Sequence, residues 1–248
     1  MDNSLLVSLS HQIAAQRSMD VIANNLANMN TSAYRRDELK FEEYLERSQP
    51  GEDQKGIQTT SFVQPAGIVR DNSEGRIEAT GNPFDLAISG KGYFAVQTAN
   101  GERYTRDGHF TLNADGTIVT ETGDPVMTDG GAVAITTDDG DVTISSDGTI
   151  SGDQGQIARM RVVQFADDMA LTKEGASYYA SSQQPTDAES GYKLEQGMLE
   201  RSNVVPITEM TAMIDVMRSF QAINNMISAQ EDLKRKAVTS LGTFSAAA

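Results

Sequence analysis

The two ends of this chain carry the same apolar period, and neither end can bury it alone. Near the N-terminus, Leu5, Leu9, Ile13, Met19, Ile22, Leu26 and Met29 recur mostly three or four residues apart among polar neighbours. Near the C-terminus, Met210, Met213, Ile214, Met217, Phe220, Ile223 and Ile227 do the same, fading through Leu233 and Val238 to Leu241. That spacing puts each set on one face of an α-helix. The first helix is expected from about residue 4 to about residue 30, roughly 39 Å at 1.5 Å per residue. The second is expected from about Pro206, whose missing N–H costs least in a first turn, with Asn203 or Ser202 as its cap. Its stripe holds about three heptads, the minimum for a coiled-coil seam, and its methionines adapt to non-identical neighbours.

Between about residues 67 and 195 the helical period vanishes. Short β-prone runs alternate with Gly, Asp and Thr: DLAIS (85–89), GYFAVQT (92–98), GHFTL (108–112), GTIVTE (116–121), AVAIT (132–136), DVTIS (141–145) and IARMRVVQFA (157–166). This is the pattern of an all-β domain built from hairpins. NADGTIV (113–119) and SSDGTIS (145–151) echo each other, with Asp-Gly supplying the positive-φ positions of a tight turn. The stretch 46–61 has no apolar period and reads as a loop or mobile linker, and KFEEYLE before it fits a helical turn or a strand edge equally. The expected fold class is therefore α+β. Terminal helices (1–32 and 203–248) pair as a coiled-coil-like layer, 33–66 is an extended linker, and 67–202 is an antiparallel, hairpin-rich β domain.

Charge and composition narrow the partners. The 248 residues carry 35 acidic against 20 basic side chains, a net charge of −15. Nucleic acid and anionic membranes both demand a basic face, so neither is expected. There is no cysteine, which excludes disulfides, thiolate catalysis and cysteine-bound zinc. The start has no basic n-region before Arg17 and too short an apolar run for a cleaved leader, and no stretch approaches the ~18 apolar residues of a membrane span. The chain is expected to be cytoplasmic or to leave by a route without a cleaved leader.

Motifs for chemistry are missing. His11 and His109 are the only histidines, and neither sits in HExxH. There is no GxSxG elbow. The acids of TTDDGDVTISSDGT (136–149) cluster wrongly for a calcium loop and lie between strands, so they read as turns. Gly90 and Gly92 lack the third glycine and the helix of a phosphate loop. No catalytic, metal or cofactor residues are assigned, and no enzyme activity is expected.

Three longer segments carry a resemblance. ANNLANMNTSAYRRDELKFEEYL (23–45), GNPFDLAISGKGYFAVQTANGERYTRDGHFTLNADGTIVTETGDPV (81–126) and GMLERSNVVPITEMTAMIDVMRSFQAINNMISAQE (197–231) resemble, in order and in place, the N-terminal, central and C-terminal motifs of the flagellar rod and hook proteins. One departure is Ala33-Tyr34, where the family has Gly-Phe. The resemblance implies an axial subunit exported by the flagellar type III apparatus without a cleaved leader. It would sit in the periplasmic rod, with its terminal helices forming an inner tube beside other copies of itself and other rod proteins, and would need no cofactor.

On that reading the inter-subunit contacts fall on Leu5, Leu9, Met19, Ile22, Ala23, Asn24, Leu26, Ala27, Asn28, Met210, Met213, Ile214, Met217, Phe220 and Ile227. The stripe of Leu5, Leu9, Ile22 and Leu26 is expected to face Met210, Ile214, Met217 and Phe220. Ala23, Asn24, Ala27 and Asn28 lie one turn apart and make narrow polar ridges that let helices approach and fix their register. Asn28 or Asn30 also suits a helix stop, since Asn tolerates the left-handed conformation. An exported adhesive or ligand-binding β module that trimerises through its helices fits the same pattern.

Overall fold

The structure, a computed structural model, describes residues 2–48, 58–175, 177–188 and 190–245, without the side chains at 2–5, 43–48, 58–65, 137, 238 and 240–245. The chain divides into two compact units, each discontinuous in sequence. The first gathers Met1–Leu26, Asp37–Val69 and Val205–Ala248; the second gathers Ala27–Arg36 and Arg70–Val204.

The first unit holds helix α1 (Asp2–Ala27), helix α2 (Pro206–Ser245) and a two-stranded sheet of Asp37–Ser48 with Gln58–Arg70. The helices pair. Gln12 Nε2 donates to Asn224 Oδ1 at 3.3 Å, and Asn25 Nδ2 donates to Glu209 Oε2 at 3.3 Å. Advancing along α1 thus retreats along α2, so the pair is antiparallel. On α2, Glu209, Met213, Val216, Phe220, Ile223, Ile227 and Gln230 are all at least partly buried and alternate four and three apart, the spacing of a coiled-coil seam. On α1 the same rhythm runs through Ala14, Ser18, Val21 and Asn25. Its fully buried members, Ser8, Ala14 and Asn25, are small or polar, which brings helix axes close.

The second unit is antiparallel β throughout its paired strands. Its largest sheet has six, in the order Thr172–Glu174, Tyr178–Ala180, Gly101–Thr105, Tyr93–Thr98, Val162–Gln164 and Thr186–Asp187. Tyr93, Phe94, Ala95 and Val96 are all buried because both faces of the sheet are covered. With a period of two, Phe94 and Val96 join Leu86, Ile88, Phe110, Ile118 and Ile150 on one face. Tyr93 and Ala95 join Tyr104, Val163, Leu171 and Tyr179 on the other. Phe94 and Phe110 meet edge to face, with centroids 5.1 Å apart at 83°, a geometry worth ~1 kcal/mol beyond the area it buries.

The echoed Asp-Gly turns are one structure used twice. Gly116 N–H donates to the Asn113 carbonyl at 3.0 Å and Gly148 N–H to that of Ser145 at 2.9 Å, with φ of 77° and 89°. Other expectations need correction. Residues 46–48 and 58–61, read as linker, belong to the strands Asp37–Ser48 and Gln58–Arg70, while residues 49–57 of that stretch lie outside the described residues; of the two readings open for KFEEYLE, the strand is the one adopted. IARMRVVQFA is two strands, Gly155–Arg159 and Val162–Gln164, paired into different sheets. Helix α1 stops at Ala27, and among the described residues Ala33 is the one non-glycine with positive φ, at 54°. The left-handed turn is therefore made by Ala33 rather than by Asn28 or Asn30. It falls where the resembling family has Gly, at a cost to an L-residue of about 1–2 kcal/mol.

Asp107-Gly108 closes the core tightly. Leu86 N–H donates to the Gly108 carbonyl at 3.0 Å, and a Cβ on Gly108 would lie 1.7 Å from the Leu86 carbonyl oxygen. Since the oxygen it would meet is backbone and cannot swing away, Gly108→Ala should lower stability by about 3 kcal/mol or more in urea unfolding. Beside it, burial raises the Asp107 carboxyl to about 6, opposed by a hydrogen bond from the His109 N–H. The folded state then holds a proton that the unfolded chain releases near 3.8, so stability should fall as pH rises from about 4 to 6. Asp107→Asn should remove that fall, on the order of 2 kcal/mol, when unfolding is followed across the same window.

Candidate assembly interface

Asparagine is a poor helix former because its amide competes for backbone hydrogen bonds. At one position in α1 that competition is put to use. Asn25 is 0% exposed. Its Nδ2 donates to the Asp37 carbonyl at 2.8 Å, and its Oδ1 accepts from the Asp37 N–H at 3.0 Å. The side-chain amide thus pairs with a backbone residue as a strand neighbour would. Its third contact, to Glu209, reaches the first turn of α2, where Glu209 is itself buried. Helical spacing singles out Asn24 and Asn28 instead. Asn24 is exposed, and Asn28 is partly buried and accepts from Thr31 Oγ1 at 3.2 Å. Asn25 could have been found, because it lies on the seam rhythm of Ala14, Ser18 and Val21, where an apolar residue is expected.

In the second unit the segments that follow α1 and precede α2 in the chain meet at a buried charge cluster. Glu200, 2% exposed, accepts from Arg35 Nη2 at 2.8 Å, from Arg106 Nε at 3.0 Å and from the Gly75 N–H at 2.8 Å. Arg106 spends its remaining donors on the carbonyls of Gly92 at 2.9 Å, Ile88 at 3.0 Å and Gly90 at 2.6 Å. Arg35 Nη1 donates to the Ser73 carbonyl. Next to the cluster, Asn203 is not the expected cap. Its Oδ1 accepts from the Arg36 N–H at 2.7 Å and its Nδ2 donates to the carbonyls of Asp71 at 2.9 Å and Ser73 at 3.1 Å. The first turn of α2 instead closes on the Val205 carbonyl, which accepts from Thr208 and Glu209. None of these charged partners was legible, since each lies far away in sequence.

The expected contact residues separate into groups. Met213, Phe220 and Ile227 fall on the partly buried seam of α2, Met19, Ile22 and Leu26 are partly buried on α1, and Asn28 is partly buried in the turn after it. Ala23, Asn24 and Ala27 are exposed, and the side chain of Leu5 lies outside the described residues. Leu9, Met210, Ile214 and Met217 do not face the partner helix as expected: they are 45%, 48%, 50% and 47% exposed. The reason is angular. At 100° per residue, Ile207, Met210, Ile214 and Met217 form a second face about 120° round α2 from the seam. Met226 and Leu233, also exposed, flank the seam on its other side. On α1, exposed Leu6 and Ile13 extend Leu9 into a matching stripe. These stripes are the candidate contact faces of the helices. Among the described residues there is no cluster of His, Cys, Asp or Glu suited to a metal, and no helix long and apolar enough to cross a membrane.

Three family models match the chain: one described as flagella basal body rod protein over residues 5–35, one as flagellar hook protein FlgE/F/G D1 domain over 87–152, and one as flagellar basal body rod FlgEFG protein C-terminal over 195–240. Among curated relatives, the flagellar basal-body rod protein FlgF of Caulobacter vibrioides is 39% identical, covering 98% of this chain and 99% of its own. That of Mesorhizobium japonicum is 32% identical over 99% and 100%. The flagellar basal-body rod protein FlgG of Bacillus subtilis is 33% identical over 96% and 98%. Both terminal models fall on the segments that hold the exposed apolar faces.

Replacing Asn25 by the near-isosteric Leu would leave the Asp37 N–H and carbonyl without this partner. Asn25→Leu should destabilise the chain by about 2 kcal/mol in urea unfolding, although it makes the helix more apolar.

Proposed function

The chain belongs to the flagellar basal-body rod protein family, and from that premise we infer that it is a rod subunit of the proximal, FlgF type. It polymerises with copies of itself and with other rod proteins into the axial tube that crosses the periplasm and transmits torque. The family is a structural one, and the role needs no cofactor and no catalytic residue. The type III export apparatus delivers the subunit. The full-length likeness to relatives named FlgF supports the proximal assignment; the Bacillus subtilis relative named FlgG keeps a distal position as the second reading.

The observation that carries the reading is that α2 has more apolar surface than α1 can cover. The seam is filled within the chain, whereas Ile207, Met210, Ile214 and Met217 are left to water. Burying such side chains against a neighbour contributes about 1.5–3 kcal/mol each, set against the cost of ordering the association. A head-to-tail contact of this sort, repeated through a rotation that does not close, makes a helical array. Met is polarizable and flexible, which suits contacts with rod proteins of different sequence. The exposed Ala23, Asn24 and Ala27 give a narrow polar ridge that holds register between neighbouring helices.

The triple substitution Met210→Ser, Ile214→Ser and Met217→Ser tests the reading. The purified variant should keep its near-ultraviolet dichroism and its thermal midpoint within a few degrees. In cells, swimming should stop and the protein should be missing from isolated basal bodies. A swimming strain with the variant in its basal bodies would refute the reading, and wild-type protein displayed on the cell surface would favour an adhesive module.

A further inference from the structure

We propose that the segment Met198–Val204 is a strap that completes the second unit, and that Glu200 locks it, so that residues 27–36, 70–76 and 198–204 order together or not at all. The strap pairs with strand Ile77–Ala79, Met198 opposite Ala79 and Glu200 opposite Ile77. Beyond that pairing, Glu200, Arg201 and Asn203 bond it to the other two segments. Ala33 N–H donates to the Glu200 carbonyl at 2.8 Å, Arg201 N–H to that of Arg76 at 2.8 Å, and Asn203 N–H to that of Tyr34 at 3.3 Å. Leu199 and Val204 are buried. The fit against 70–76 is backbone on backbone, since a Cβ on Gly75 would lie 1.8 Å from the Arg201 carbonyl oxygen.

The charges make the closure all-or-none. Without the strap, Arg35 and Arg106 would bring two guanidiniums to one site without the carboxylate they share. Glu74, about half exposed and 3.6 Å from Arg106, would be left as their ion-pair partner, with Asp71 and Asp168 acting on them only through longer-range electrostatics. Two like charges taken out of water without a counter-charge are strongly unfavourable, so segment 27–36, with Ala33 in its left-handed conformation, has no reason to dock first. Glu200 supplies the missing charge and also holds the Gly75 N–H. The lock comes late in the chain: Gly75 and Glu200 are 125 positions apart, and Arg36 and Asn203 are 167 apart. Whenever the chain is made or delivered N-terminus first, this corner of the unit stays open until the strap arrives, while the hairpin of Tyr93–Thr98 with Gly101–Thr105 needs nothing from it.

Amide hydrogen exchange on the full-length protein, resolved by peptide, tests this. In the wild type, peptides from 27–36, 70–76 and 198–204 should share one opening rate. Glu200→Gln should accelerate all three by about 100-fold and leave 93–105 within about twofold. Acceleration confined to 198–204 would overturn the coupling. A uniform rise that includes 93–105, or no rise, would overturn the strap. Should Glu200→Gln fail to fold, Asn203→Ala removes the strap's bonds to Arg36, Asp71 and Ser73 while leaving the ions paired. It should accelerate the same three segments together by about tenfold, and unequal rates would refute the proposal.

Discussion

A carboxylate shared by two guanidiniums away from water is held only if its oxygens are satisfied and the guanidiniums are held by further acceptors. Glu200, Arg35 and Arg106 meet that condition, with Glu74 3.6 Å from Arg106 as a second anion, and much of the second unit follows from it. Nη1 and Nη2 of Arg106 gather the carbonyls of Ile88, Gly90 and Gly92, which fixes the path of the chain between two strands. Arg35 reaches the Ser73 carbonyl, and Glu200 takes the Gly75 N–H. An apolar plug of similar volume could be as stable, because ion burial is costly. An apolar plug would, however, accept several registers, whereas planar guanidinium forks accept few. The cluster therefore fixes which segments meet, more than how strongly they hold.

That division explains what the amino-acid order reveals. The helices are legible because their period is local, and so are the Asp-Gly turns, where φ is the constraint and glycine the answer. The family motifs place all three regions, and the curated relatives agree over nearly the whole chain. What is not legible depends on distance or on polarity. Arg35 and Glu200 look like surface charges until the fold brings them together. Asn25 is hidden because pattern reading counts apolar residues, and here the seam position is amide. Asp37–Ser48 is left undecided between helical turn and strand edge because a two-stranded ribbon buries little, so its strands keep the charged composition of a linker.

The contact stripe shows the same limit in another form. A run of apolar residues at threes and fours reports that a helix has an apolar side, not how wide that side is. In α2 it is wide enough for two faces, and the residues nearest Pro206 that look most like the seam are the ones turned from it. Met213 and Ile214 are chain neighbours, yet one lies on the seam and the other is half exposed. Only the angle separates them.

The two exposed flanks of α2 also differ in height. Ile207 to Met217 lie on one side of the seam near the start of the helix; Met226 and Leu233 lie on the other side, further along. Their centres are about 25 Å apart at 1.5 Å per residue. A parallel copy that sets its far flank against the near flank of this helix is displaced along the axis by that amount. A closed ring of subunits has no place for such a displacement, whereas a screw thread consists of it.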